Sequence, residues 1–219
     1  MSNREAVISA IDRYKIIAIL RLVDRDTLIP AVRAMHRGGI RLMEVTFDQS
    51  GRAPFAQTAE QIAAIRESFG GEVLVGAGTV LTCEQVEIAH AAGADYIISP
   101  DVNPDVIART RALDMVSIPG ALTPTEAMTA HRAGADYVKL FPAGDLGISY
   151  IKSVKAPLSH LKFLAVGGIG PENIADFMAC GICGCGIGST LVNRKLLAAG
   201  DFDAITDIAA RLCAGAGAE

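Results

Sequence analysis

Two ionisable residues sit in apolar surroundings where a charge is hard to carry. Lys139 lies within Tyr137-Val138-Lys139-Leu140-Phe141-Pro142, and Glu44 within Leu42-Met43-Glu44-Val45-Thr46-Phe47. A charged lysine buried among such neighbours is strongly disfavoured, so it must lose its proton or find a counter-charge. A neutral amine attacks carbonyl carbons and forms a Schiff base. A carboxylate close by can supply the proton transfers that such chemistry needs. The same pattern also fits a buried ion pair, or a lysine whose head reaches outward to water, and residue types alone leave these readings open.

Two glycine-rich segments form a second constellation, Val166-Gly167-Gly168-Ile169-Gly170-Pro171 and Gly184-Cys185-Gly186-Ile187-Gly188-Ser189. Bare backbone N–H groups of Gly167, Gly168 and Gly188, with the Ser189 hydroxyl, suit a phosphate; glycines at such turns also serve geometry alone. Gly76-Ala77-Gly78-Thr79 ends another apolar run and offers Thr79 to a carboxylate, or merely a cap. Arg21 follows the first apolar run and suits an anionic substrate or a solvated rim. Pro100 and Pro119 lack an N–H and fit apolar rim walls or strand stops. Cys180-Gly181-Ile182-Cys183-Gly184-Cys185 contains a CxxC spacing. Without a second such pair or a neighbouring histidine it reads as small packing residues, and no metal site is expected. His36, His90 and His131 read as structural residues at helix C-termini.

The elements that must position these groups alternate along the whole chain. Eight β-rich runs are expected at 16–20, 42–47, 74–79, 96–100, 115–120, 137–142, 163–168 and 184–189, several of them apolar throughout, as parallel strands covered by helices should be. Between them, Thr82-Cys83-Glu84-Gln85 and Thr123-Pro124-Thr125-Glu126 carry capping boxes, while Asn103-Pro104 and Gly170-Pro171 open further helices. An extra short amphipathic helix is expected over residues 3–13. His90-Ala91-Ala92-Gly93-Ala94-Asp95-Tyr96 recurs 41 residues later as His131-Arg132-Ala133-Gly134-Ala135-Asp136-Tyr137, with a weaker copy beginning at His36. Each Gly falls where a helix must stop before the next strand. Eight strand–helix units in one domain spanning 1–219 argue for a (β/α)₈ TIM barrel; the alternative, an open doubly wound sheet, would carry a Gly-rich fingerprint after its first strand, where Arg21-Leu22-Val23 stands instead. With the repeats in register, Glu44, Ile98, Lys139 and Gly186 occupy the same step of alternate strands. One barrel layer is built that way, so Glu44 and Lys139 are expected to face each other inside it.

Composition narrows the function classes. The 219 residues are 51% hydrophobic, with 20 Lys+Arg against 24 Asp+Glu and a net charge of −4. That supports a large core and leaves no basic stripe for nucleic acid. No run approaches the roughly 20 apolar residues of a bilayer span, and the N-terminus lacks a signal-peptide pattern. Five cysteines, an odd number, point to reduced thiols and a cytoplasmic protein.

Met43-Glu44-Val45-Thr46, Gly76-Ala77-Gly78-Thr79-Val80, Ile98-Ser99-Pro100, Lys139-Leu140-Phe141-Pro142, Val166-Gly167-Gly168-Ile169 and Gly188-Ser189 together resemble the 2-keto-3-deoxy-6-phosphogluconate aldolase / 4-hydroxy-2-oxoglutarate aldolase family, over almost the whole chain. The resemblance implies a class I, Schiff-base aldolase: a homotrimer of barrels without metal or other cofactor, cleaving a 2-keto-4-hydroxy acid into pyruvate and an aldehyde. It implies Lys139 as the imine-forming residue and Glu44 as the proton shuttle. Thr79 would bind the pyruvate carboxylate with Pro100 packed against it, and Gly167, Gly168 and Ser189 would hold a distal phosphate. Many members carry Arg shortly after the Glu-bearing strand, where Asp48 and Gln49 stand here, so Arg21 becomes the candidate carboxylate cation. Val166 replaces a frequent Thr, and the choice between gluconate and galactonate epimers stays open. A phosphosugar isomerase or epimerase on the same barrel, and a phosphate-ligand binding barrel with a merely structural Lys–Glu pair, are the competing readings.

Overall fold

A computed structural model describes residues 3–218. Its parallel strands are β1 (Ile16–Leu20), β2 (Leu42–Thr46), β3 (Leu74–Gly78), β4 (Tyr96–Ile98), β5 (Val116–Ile118), β6 (Gly120–Ala121), β7 (Val138–Leu140), β8 (Phe163–Val166) and β9 (Gly184–Ile187). The helices are α1 (Asn3–Tyr14), α2 (Arg25–Arg37), α3 (Phe55–Phe69), α4 (Cys83–Ala91), α5 (Pro104–Ala112), α6 (Pro124–Arg132), α7 (Ala143–Lys155), α8 (Ile174–Ala179), α9 (Arg194–Ala199) and α10 (Phe202–Ala216). The sheet runs β5-β4-β3-β2-β1-β9-β8-β7-β6. Its two ends, β5 and β6, are halves of one extended segment interrupted at Pro119, which has no N–H to give the ladder. The sheet therefore closes on itself as an eight-stranded barrel, with the fifth expected strand split in two.

Local chemistry explains the helix boundaries. The Thr82 and Thr123 hydroxyls accept from the N–H groups of Gln85 and Glu126, whose side chains return the bond, and Asn103 caps α5. Gly39, Gly93 and Gly134, the glycines of the repeated segment, all take positive φ after a helix. The repeated aspartates act alike, since Asp95 accepts the N–H of Val75 and Asp136 that of Ser117, each tying one strand to its neighbour. The segment after Gly170-Pro171 departs from expectation. It forms a turn in which Asn173 accepts the Gly170 N–H, and α8 begins only at Ile174.

Two apolar cores result. The larger lies between the barrel wall and the outer helices. The smaller fills the barrel, stacking Ile17, Leu42, Tyr96, Ile98, Val116, Ile118 and Leu164 on Val7 and Ile11 of α1, so the extra helix plugs the end where the strands begin. The Tyr137 hydroxyl pins that plug through Asp12 (2.7 Å) and the Ile8 carbonyl (3.1 Å). With one end sealed, the free end is the one where the strands finish, which is where barrel sites are built. His36, His90 and His131 do fall in last turns of helices. For His36, burial and then the neighbouring Arg41 charge lower the pKa, so it contributes little positive charge to its helix end at neutral pH. Cys185 packs in the outer core, and burial pushes its thiol up to about 12, while Cys183 lines the inner core.

Candidate active site

The strand ends surround a cavity of about 540 Å³. Nine residues singled out for chemistry or binding line it: Arg21, Glu44, Thr79, Pro100, Lys139, Gly167, Gly168, Gly188 and Ser189, whereas Pro119 interrupts the strand ladder instead. Gly186, Phe141, Val166 and Thr190 complete much of the wall. The shared step of alternate strands is thus realised: Glu44 on β2, Lys139 on β7 and Gly186 on β9 meet in one chamber, with Ile98 of β4 in the apolar layer of the inner core.

Glu44 is 2% and Lys139 7% exposed. Burial pushes the Lys139 amine below the ordinary lysine value; Glu44 opposes the shift and the Arg21 charge adds to it. Burial raises the Glu44 carboxyl, opposed by Lys139 and Arg21. Each group is thereby moved toward its neutral form, so the chamber favours an amine with a free lone pair beside a carboxyl able to give and take a proton. The Lys139 Nζ sits 4.9 Å from the centroid of the Phe141 ring.

Two glycines of β3 make room for this arrangement, a role that their sequence context did not reveal. A Cβ on Gly78 would lie 1.6 Å from Glu44 Oε1, and one on Gly76 would lie 2.1 Å from the Tyr96 ring. Tyr96 is buried in the inner core and donates its hydroxyl to the Met43 carbonyl. The signal was available in Gly-Ala-Gly within a strand, since glycine there marks close approach of another group.

Thr79 follows β3 with φ +55°, a left-handed conformation that a β-branched residue holds at a cost of about 1–3 kcal/mol. Such strain concentrates at functional sites. Arg21 Nη2 donates to Thr79 Oγ1 at 3.2 Å, joining the ends of β1 and β3. Arg21 is exposed on the rim and also acts electrostatically on both Glu44 and Lys139.

On the opposite wall, Gly167 and Gly168 have φ of +97° and +71°. The tight packing of Gly144 against Gly168 leaves no space for a side chain there. Among the described residues, the N–H groups of Gly168, Ser189 and Thr190 carry no hydrogen bond. Three free N–H donors and an exposed serine hydroxyl at one wall suit a phosphate.

The KDPG and KHG aldolase family model matches residues 7–208. The chain belongs to this family. It is an aldolase, and hence a lyase. It is 41% identical over 202 residues to the 2-dehydro-3-deoxy-phosphogluconate aldolase of Treponema pallidum, covering 91% of this chain and 92% of the relative. It is 38% identical over 180 residues to the 2-dehydro-3-deoxy-6-phosphogalactonate aldolase of Escherichia coli, covering 82% and 85% respectively. Among solved structures, the KDPG aldolase of Legionella pneumophila, with pyruvate captured as a covalent carbinolamine, superposes with a TM-score of 0.83. That likeness has 26% identity and covers 95% of this chain and 97% of the other.

Proposed function

We propose that this aldolase works through an imine on Lys139 and acts on phosphorylated 2-keto-3-deoxy sugar acids. The observation that carries the reading is a buried lysine with a lowered pKa sharing a chamber with a buried carboxyl at the open end of the barrel. In the cleavage direction the neutral Lys139 amine attacks the C2 ketone to give a carbinolamine. Loss of water, with Glu44 returning the proton to the departing hydroxyl, leaves a protonated imine. Glu44 then takes the proton of the C4 hydroxyl as the C3–C4 bond breaks. The bonding pair moves into the imine, giving an enamine and releasing the aldehyde. Protonation of the enamine at C3 and hydrolysis free pyruvate and regenerate the amine. The carbinolamine captured in the Legionella relative supports this route.

The substrate spans the chamber. Arg21 and Thr79 take the C1 carboxylate, with Pro100 as an apolar wall. Gly167, Gly168, Gly188 and Ser189 take the distal phosphate. The relatives at 41% and 38% identity are named for the gluconate and galactonate compounds, so both epimers are candidate substrates, with 4-hydroxy-2-oxoglutarate as a shorter alternative. We also propose a homotrimer in a reducing, cytoplasmic setting, in keeping with five unpaired cysteines; light scattering gives the assembly's mass. Among the described residues, no helix is long and apolar enough to cross a membrane.

The test is release of pyruvate from each of the three acids, with and without chelator, by wild type and Lys139→Met. Chelator-resistant turnover that vanishes in the folded variant supports the reading. Turnover that survives the substitution refutes it.

A further inference from the structure

We propose that Gln49 is a positioning residue that holds Thr79 in place for the substrate carboxylate. The inference rests on the assignment of Arg21 and Thr79 to that carboxylate. After β2 the chain turns sharply, and Asp48 organises the turn. Its Oδ1 accepts from the Ser50 N–H (3.1 Å) and hydroxyl (2.7 Å), and its Oδ2 from the N–H groups of Arg52 (2.7 Å) and Ala53 (3.0 Å). These donors, the Ser50 hydroxyl foremost, lower the Asp48 pKa to about 2. Asp48 is therefore a fixed anion committed to its own loop.

The loop so held presents Gln49 to the neighbouring strand end, where its Nε2 donates to the Thr79 carbonyl at 2.8 Å. Thr79 is thus gripped at two atoms by side chains from two other strand ends. Gln49 holds the carbonyl, and Arg21 donates to the hydroxyl oxygen at 3.2 Å. Because Oγ1 accepts from Arg21, its own hydrogen is free to donate into the cavity. A carboxylate there meets the Thr79 hydroxyl and the remaining guanidinium N–H groups in a fixed relation. That relation depends on the left-handed backbone of Thr79, which its own β-branched side chain disfavours. Gln49 supplies the tether. It adds no charge, which leaves Arg21 as the cation of the pair.

The test measures aldol addition with pyruvate and aldehyde varied separately. Gln49→Leu removes the donor while keeping a side chain of similar bulk. The expected result is a rise in the pyruvate KM of about three- to tenfold, the range for one hydrogen bond. The aldehyde KM and kcat should stay within about twofold. In a Thr79→Val background, Gln49→Leu should add nothing further, because the hydroxyl through which it acts is gone. An unchanged pyruvate KM, an equal rise in the aldehyde KM, or full additivity with Thr79→Val overturns the proposal. Borohydride trapping of pyruvate on Lys139 separates the two levels. No trapping in the wild type overturns the imine reading, whereas trapping with an unmoved pyruvate KM in Gln49→Leu overturns the Gln49 assignment alone.

Discussion

Replacing Gly78 by alanine adds one methyl group at the point where β3 passes under Glu44. The new Cβ would lie 1.6 Å from Oε1, 2.3 Å from Cδ and 2.6 Å from Cγ of that residue, and no positive φ at Gly78 demands glycine. The backbone accepts alanine, so the nearest conflict is with the Glu44 side chain from Cγ outward. To regain ordinary contact at 3.4 Å, Oε1 must retreat by about 1.8 Å. Misplacing a catalytic group by about 1 Å costs on the order of 10²-fold in rate, so kcat/KM should fall by at least about 10²-fold. The stability loss should be moderate, because the Glu44 side chain from Cγ outward yields rather than backbone. Overpacking of about 1 kcal/mol lowers the Tm of a chain this size by about 2–4 °C. Gly76→Ala is the contrast: its Cβ would strike the Tyr96 ring at 2.1 Å and the Tyr96 carbonyl oxygen at 2.6 Å, so folding itself should suffer. The assay pairs pyruvate release with thermal melting of both variants. A folded Gly78→Ala enzyme within about threefold of wild-type kcat/KM would refute the placement of Glu44 and with it the proton-shuttle role.

The pH dependence of imine formation follows from the charges around Lys139. The amine must be neutral to attack, so the trapping rate rises with pH through a pKa below the ordinary 10.5. Arg21 lowers that pKa and Glu44 raises it, so Arg21→Met should move the rising limb to higher pH and Glu44→Gln to lower pH; shifts of the opposite sign would contradict the charge arrangement. Stability has its own signature. The Glu44 pKa in the fold lies above its ordinary 4.5, so the folded state holds the proton more tightly than the unfolded chain. Its contribution is present below 4.5 and is lost as pH rises through the folded value. The Tm advantage of Glu44→Gln over wild type should therefore grow from acid toward neutral pH, and a constant difference would contradict the burial of this carboxyl. At the phosphate wall, Ser189→Glu sets a like charge beside the phosphate. It should reduce kcat/KM at least about tenfold for a phosphorylated substrate and little for an unphosphorylated one; equal effects on both would place the phosphate elsewhere.

Much of this organisation could be read from residue types and spacing. The repeated segments beginning at His36, His90 and His131 set the strand register that brings Glu44 and Lys139 into one chamber, because strand periodicity and helix stops are local properties. Capping boxes at Thr82 and Thr123 are local in the same sense. What stayed hidden depends on contacts between distant segments. The break at Pro119 reflects closure of the ladder from both sides, and strand ends were expected too long because the apolar pattern continues past the ladder into buried residues such as Phe47. Asp48 and Gln49 read only as an absent arginine. Their value lies in a loop folded back on Thr79, 30 residues away in sequence, which no spacing rule announces. The exclusion that keeps Gly78 a glycine likewise depends on a side chain from the neighbouring strand.

The chemistry turns on one atom, the Nζ of Lys139. Incubating the protein with pyruvate and borohydride, digesting it and mapping the modified peptide by mass spectrometry interrogates that atom most directly. A single reduced pyruvyl adduct, on Lys139, is the expected result. An unmodified Lys139 in a folded protein, or an adduct confined to another lysine, would contradict the imine mechanism.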